Sequence, residues 1–90
     1  MDICGLSWRE MRLLRQLCEG HQFVCCHGHF KFVNEPFERS SHPAEILLKL
    51  DLARMWRTSD VCTEMVIPTL AGVQLDGRIE QEWRKICQSK

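Results

Sequence analysis

The sequence holds no tyrosine, no excess of either charge and no Cys-x-x-Cys pair, and each absence narrows what the chain can do. Twelve basic and twelve acidic side chains cancel to zero formal charge, which removes the broad attraction that nucleic-acid and anionic-membrane binders carry. Without a Cys-x-x-Cys pair the chain lacks the most specific zinc and thiol-redox signature. No run approaches the ~18 to 20 apolar residues of a membrane span. The opening MDICGLSWRE has neither the basic start nor the apolar stretch of an export signal, so the expectation is a soluble intracellular protein, cytoplasmic or nuclear. Repeats, low-complexity tracts and domain linkers are also missing, which leaves a single domain over residues 1–90. Six cysteines could form three disulfides, but adjacent Cys25 and Cys26 pair with each other only under strain, and an intracellular setting favours free thiols.

What is present is a series of amphipathic segments, with 44% hydrophobic residues to build a small core. Ser7 and Glu10 stand at capping-box spacing, Leu6 and Met11 at the positions of a hydrophobic staple, and Gly20 supplies a stop. Between them Met11, Leu13, Leu14, Leu17 and Cys18 form the apolar arc of a first helix. QFVCCHGHFKFV then reads as a hairpin turning at His27-Gly28. In that register Phe23, Cys25, Phe30 and Phe32 share one face, and Val24, Cys26, His29 and Lys31 the other. Residues 34–41 read as a loop.

Pro43 to Arg57, PAEILLKLDLARMWR, reads as a second helix, capped by Ser41 or His42 and apolar on two sides. Leu48, Leu52, Met55 and Trp56 cluster on one face, and Ile46, Leu50 and Ala53 nearly opposite. Thr58, Ser59 and Asp60 offer caps for a short third helix through Val61, Cys62, Met65 and Val66, which Pro68 ends or kinks. Residues 69–75 fit a helical turn, a short strand or a buried loop. Asp76 can cap a last helix carrying Ile79, Trp83, Ile86 and Cys87 on one face. The expected fold is therefore a mainly helical α+β domain of about four helices with one β-hairpin, in the order helix, hairpin, helix, short helix, helix.

Three chemical patterns compete for function. Cys18-x2-His21-x4-Cys26-x2-His29 has the ligand types of a tetrahedral zinc site, against which stands the fit of Cys18 to the apolar arc of the first helix. Arg9, Arg12 and Arg15, joined by Lys31, could grip phosphates, although Glu10 and Glu19 flank the stripe as on any solvated helix face. Cys25 or Cys26 could act as a redox-sensing thiol if exposed and of low pKa. No nucleophile and base are brought together by spacing, so no catalytic residues and no enzyme are expected.

The leading expectation is a non-enzymatic adaptor or regulatory module that binds another protein, or itself as a homodimer, through the second apolar face of the Pro43 to Arg57 helix. Leu47, Leu50, Arg54 and Arg57 would form the contact, with Trp8 contributing, and neither cofactor nor membrane is required. The alternative is a zinc-stabilised regulatory domain binding nucleic acid, with the metal on Cys18, His21, Cys26 and His29 and the phosphates on Arg9, Arg12, Arg15 and Lys31.

Overall fold

The structure is a computed structural model that describes residues 5–59 and 62–88. Helix α1 spans Trp8–Cys18 and opens on the expected capping box. The Ser7 backbone N–H donates to the Glu10 carboxylate at 3.3 Å and the Ser7 hydroxyl bonds its other oxygen. Burial raises the Glu10 pKa, but the bonds from Ser7, joined by the Glu10 backbone N–H and the charge of His42, together hold the carboxyl below its ordinary value. Beneath the cap, Leu6 and Met11 are buried together. The helix ends where Gly20 takes a φ of 94°, with its N–H on the Leu17 carbonyl and that of His21 on the Gln16 carbonyl.

Strands β1, Phe23–Cys26, and β2, His29–Phe32, form the hairpin in the expected register, Phe23 opposite Phe32 and Cys26 opposite His29. Positive φ at both His27 and Gly28 gives the turn the twist that tight hairpins need.

From here the chain departs from the expected order. Helix α2 covers only Ser41–Lys49, capped by the Ser40 side chain, and the second half of the expected helix is strand β3, Ala53–Arg57. The cause is a chain reversal at Asp51, which adopts φ 59°. Its N–H bonds the Leu48 carbonyl at 3.1 Å, and the Leu52 N–H bonds the Leu47 carbonyl at 2.9 Å. That pair of bonds closes a helix C-terminus, a task usually given to glycine but open to aspartate, which tolerates the left-handed region. The expected short third helix is strand β4, Thr63–Pro68, paired antiparallel to both β3 and β1. Asp60 and Val61, assigned to the start of that helix, lie outside the described residues.

The last helix, α3, runs Leu70–Gln88 and absorbs the stretch left open at 69–75. Its cap is Thr69, whose hydroxyl accepts from the Gly72 N–H at 3.1 Å and donates to the Asp51 carbonyl at 2.7 Å. Asp76 is therefore inside the helix rather than at its start. The described residues form an α+β architecture with three helices and one antiparallel sheet of order β2-β1-β4-β3, not about four helices with one hairpin.

Burial is one-sided. Phe23, Phe30, Phe32, Ala53 and Val66 point to the same side of the sheet and join Met11, Leu13, Leu14 and Leu17 of α1, Ala44 and Leu47 of α2 and Ile79 of α3 in one core. Phe23 is fully buried, with the rings of Phe32 and Phe30 at 4.6 and 5.7 Å. None of the described helices is long and apolar enough to cross a membrane.

The two glycines of α3 differ sharply in their surroundings. A Cβ on Gly72 would stand 2.0 Å from the Leu52 carbonyl oxygen, whereas one on Gly77 would meet nothing within 4 Å. In urea denaturation Gly72→Ala is expected to lose about 3 kcal/mol or fail to fold. Gly77→Ala is expected to gain up to about 1 kcal/mol from helix propensity alone.

Candidate functional site

Strand alternation places every second side chain of the sheet on the side away from the helices. One row crosses all four strands on that bare side: Trp56 on β3, Met65 on β4, Val24 on β1 and Lys31 on β2. Arg54 and Ile67 pair beside it on one flank, and Thr63, Cys26 and His29 align on the other. None of these residues is buried, and Trp56 is 55% exposed.

The face is apolar in the middle and cationic at two corners. The Arg54 guanidinium stands 5.5 Å from the centre of the Trp56 ring, and Lys31 closes the row at the other edge. No acidic residue of the four strands faces this side, because Glu64 alternates to the other. Glu38 reaches the border from the following loop and meets His29 Nδ1 at 3.1 Å.

Two grooves mark the opposite, helical side. Between α1 and α3 a cleft of about 440 Å³ has Trp8 and Trp83 edge to face at 5.9 Å, with Met11 and Ile79 also lining it. At its polar end the Arg15 guanidinium bonds Asp76 at 3.0 Å and Glu80 at 3.3 Å. Hydrogen bonding and charge from Asp76, then from Glu80, raise the Arg15 pKa, and Arg15 in turn lowers that of Glu80. A second groove of about 460 Å³ is lined by Arg9, Arg12 and Arg39. Arg39 is already occupied, bonding Glu35 at 2.9 and 2.8 Å while lying 5.4 Å from the rings of both Phe32 and Phe37.

The residues expected to form a partner contact are dispersed. Leu47 is fully buried in the core, whereas Leu50 at the end of α2 is 52% exposed. Arg54 and Arg57 point to opposite sides of the sheet because they sit three apart in a strand rather than in a helix. Trp8, 54% exposed, leans on Trp83 instead of standing free.

The Cys and His set also divides between layers. Cys26 and His29 face each other on the bare side as expected, but Cys18 packs against the core from α1 and His21 stacks edge-on against Phe32. Among the described residues no group of three or more His, Cys, Asp or Glu side chains is placed to hold a metal ion. Of the basic set, Arg9 and Arg12 are exposed on α1, Arg15 is engaged with Asp76 and Glu80, and Lys31 lies on the far side of the sheet. Cys25 alternates inward against the core, opposite in facing to Cys26.

Met65 and Ile67 reach this face through strand β4, where the sequence suggested a short helix carrying Met65. Their signal was the alternation of Thr63-Glu64-Met65-Val66-Ile67, which competes with helical spacing of Cys62, Met65 and Val66.

Comparison with protein-family models, curated proteins and solved structures finds no match for this chain. The geometry is therefore the whole basis for a functional reading.

Burial pushes the Cys18 thiol up to about 11, reinforced by the charge of Asp76. Cys18 thus stays a neutral thiol at physiological pH, and the stability this gives is lost as pH rises from about 9 toward 11. Alkylation with iodoacetamide at neutral pH, followed by peptide mass spectrometry, is expected to modify exposed Cys62 and Cys87 before Cys18.

Proposed function

We propose that this chain is a non-enzymatic, soluble intracellular interaction module that docks another protein on the bare face of its sheet. The observation that carries the reading is the row Trp56, Met65 and Val24, continuous across three strands, uncovered by any described helix and joined by Ile67. A surface of this kind loses most by staying in water and gains most by contact with a complementary apolar patch. Trp56 and Arg54 are of the residue types that anchor interfaces, and their 5.5 Å stacking holds both in place before a partner arrives. The fitting partner is apolar at the centre of its patch and carries carboxylates at the rim, opposite Lys31 and Arg54.

The expected helix face of Pro43 to Arg57 gives way here to a sheet face, since Leu47 lies in the core and residues 53–57 are a strand. A single-stranded nucleic acid is the second reading for the same surface, favoured by Lys31 and Arg54 flanking a tryptophan with no strand carboxylate between them. It is the weaker one. The remaining arginines of the basic stripe lie on α1, behind the sheet, and cannot extend one phosphate track across this face.

The test is retention of proteins from an extract of the source cells on immobilised wild type, Met65→Lys and Arg9→Glu, each with an unchanged circular-dichroism melt. The expected result is a protein held by wild type and by Arg9→Glu but depleted at least tenfold on Met65→Lys. Equal retention by all three forms contradicts the reading. Retention that disappears on nuclease treatment transfers the face to nucleic acid.

A further inference from the structure

The groove of about 460 Å³ beside α1 has an unbalanced charge. Arg9, Arg12 and Arg39 line it, and no described carboxylate does. Arg39 is neutralised from outside the groove by its two hydrogen bonds to Glu35. Arg9 and Arg12 are exposed and have no acidic partner among the described residues. The carboxylate between them in sequence, Glu10, is 6% exposed and bonded to Ser7 at the helix cap. At a spacing of three the two arginines are neighbours on the helix surface, so the cap leaves two adjacent guanidiniums facing one groove with nothing to offset them.

We propose that this groove binds a small organic phosphomonoester, with its phosphate between Arg9, Arg12 and Ser40 and its carbon skeleton against Trp8 and Pro43. The number of oxygens selects the anion. A carboxylate has two, which a single guanidinium fork satisfies, as Glu35 does for Arg39. A phosphate group has three acceptor oxygens and nearly two charges at neutral pH, enough for both free forks and one hydroxyl. Ser40 supplies the hydroxyl on the groove wall. Its oxygen accepts from the His42 N–H at 3.4 Å, which leaves its own proton to donate.

The rest of the lining calls for carbon. Trp8, Leu13, Phe32 and Pro43 form an apolar wall and floor that an inorganic phosphate would leave wet. The volume lies within the range of small-molecule pockets, about 300 to 1,000 Å³. The charge of Arg12 also reaches Glu35, whose carboxyl is held below its ordinary value first by the hydrogen bonds from Arg39. Arg12 and Arg39 therefore share one cationic neighbourhood. Both free arginines lie on α1, behind the sheet, so the inference does not depend on what the bare face binds.

The test is titration of the full chain with phenyl phosphate, inorganic phosphate and benzoate at low ionic strength, followed by amide chemical shifts. Phenyl phosphate is expected to saturate the groove. Inorganic phosphate, which lacks the carbon part, and benzoate, which lacks the third oxygen, are each expected to bind at least tenfold more weakly. Arg9→Glu and Arg12→Glu, each with an unchanged circular-dichroism melt, are expected to weaken phenyl phosphate at least tenfold. Arg78→Glu, at an exposed arginine of α3 outside the groove, is expected to leave it unchanged. Equal weakening by all three substitutions reveals attraction to net charge alone and overturns the proposal. Binding that survives both Arg9→Glu and Arg12→Glu, or inorganic phosphate that binds as tightly as phenyl phosphate, overturns it too. A phosphotyrosine peptide held at least tenfold more tightly than phenyl phosphate assigns the groove to a phosphorylated protein and overturns the small-molecule ligand.

Discussion

The placement of Phe23 is the constraint on which the rest of the structure depends. Strand β1 is paired on both sides, by β2 and β4, so its inward side chains have nowhere to go except into the helices above. Phe23 sits at that centre with no exposure, contacting Phe30 and Phe32 along the sheet. Full burial of a phenylalanine contributes about 2 to 3 kcal/mol by transfer alone. Leu14, Leu17 and Leu47 complete the same core from α1 and α2. A small chain has only one such layer of helices to build, and with all three described helices on the phenylalanine side no described helix covers the other side of the sheet.

The helical layer is held in register by polar contacts at its periphery. Arg15 ties α1 to α3 through Asp76, a carboxylate only 8% exposed and hence costly to bury without that partner. Thr69 ties the start of α3 to the turn after α2, and Gly72 lets α3 approach the Leu52 backbone closely. These contacts fix where the helices lie but add nothing to the far side of the sheet. The functional reading follows from that asymmetry: apolar residues in regular strands, Met65, Ile67 and Val24, face outward, only half-buried among their strand neighbours and with no described helix packed on them.

Elements whose signals are local were legible in the sequence. The Ser7 and Glu10 box, the Leu6 and Met11 staple, the Gly20 stop and the His27-Gly28 hairpin all rest on residues within a few positions of one another. Strands β3 and β4 were not legible, because their stability comes from pairing with β1 and with each other over long separations. Leu48, Leu52, Met55 and Trp56 fit a helical face by spacing, and no glycine or proline marked the reversal at Asp51. The expected contact surface failed for the same reason. It was drawn on a helix face that does not exist, although Arg54 does lie on the surface now proposed and the outward set Val24, Cys26, His29 and Lys31 was read correctly from the hairpin alone.

The described helices cover one side of the sheet and leave the other uncovered. Solvent paramagnetic relaxation measured on side-chain methyl groups with a soluble nitroxide tests it most directly. Strong broadening is expected for the Met65, Ile67 and Val24 methyls in the isolated protein, with the Val66 and Leu47 methyls protected, although Val66 is the sequence neighbour of both Met65 and Ile67. Equal protection of Met65, Ile67 and Val66 would show that the bare face is covered within the chain, and the docking surface would have to be abandoned.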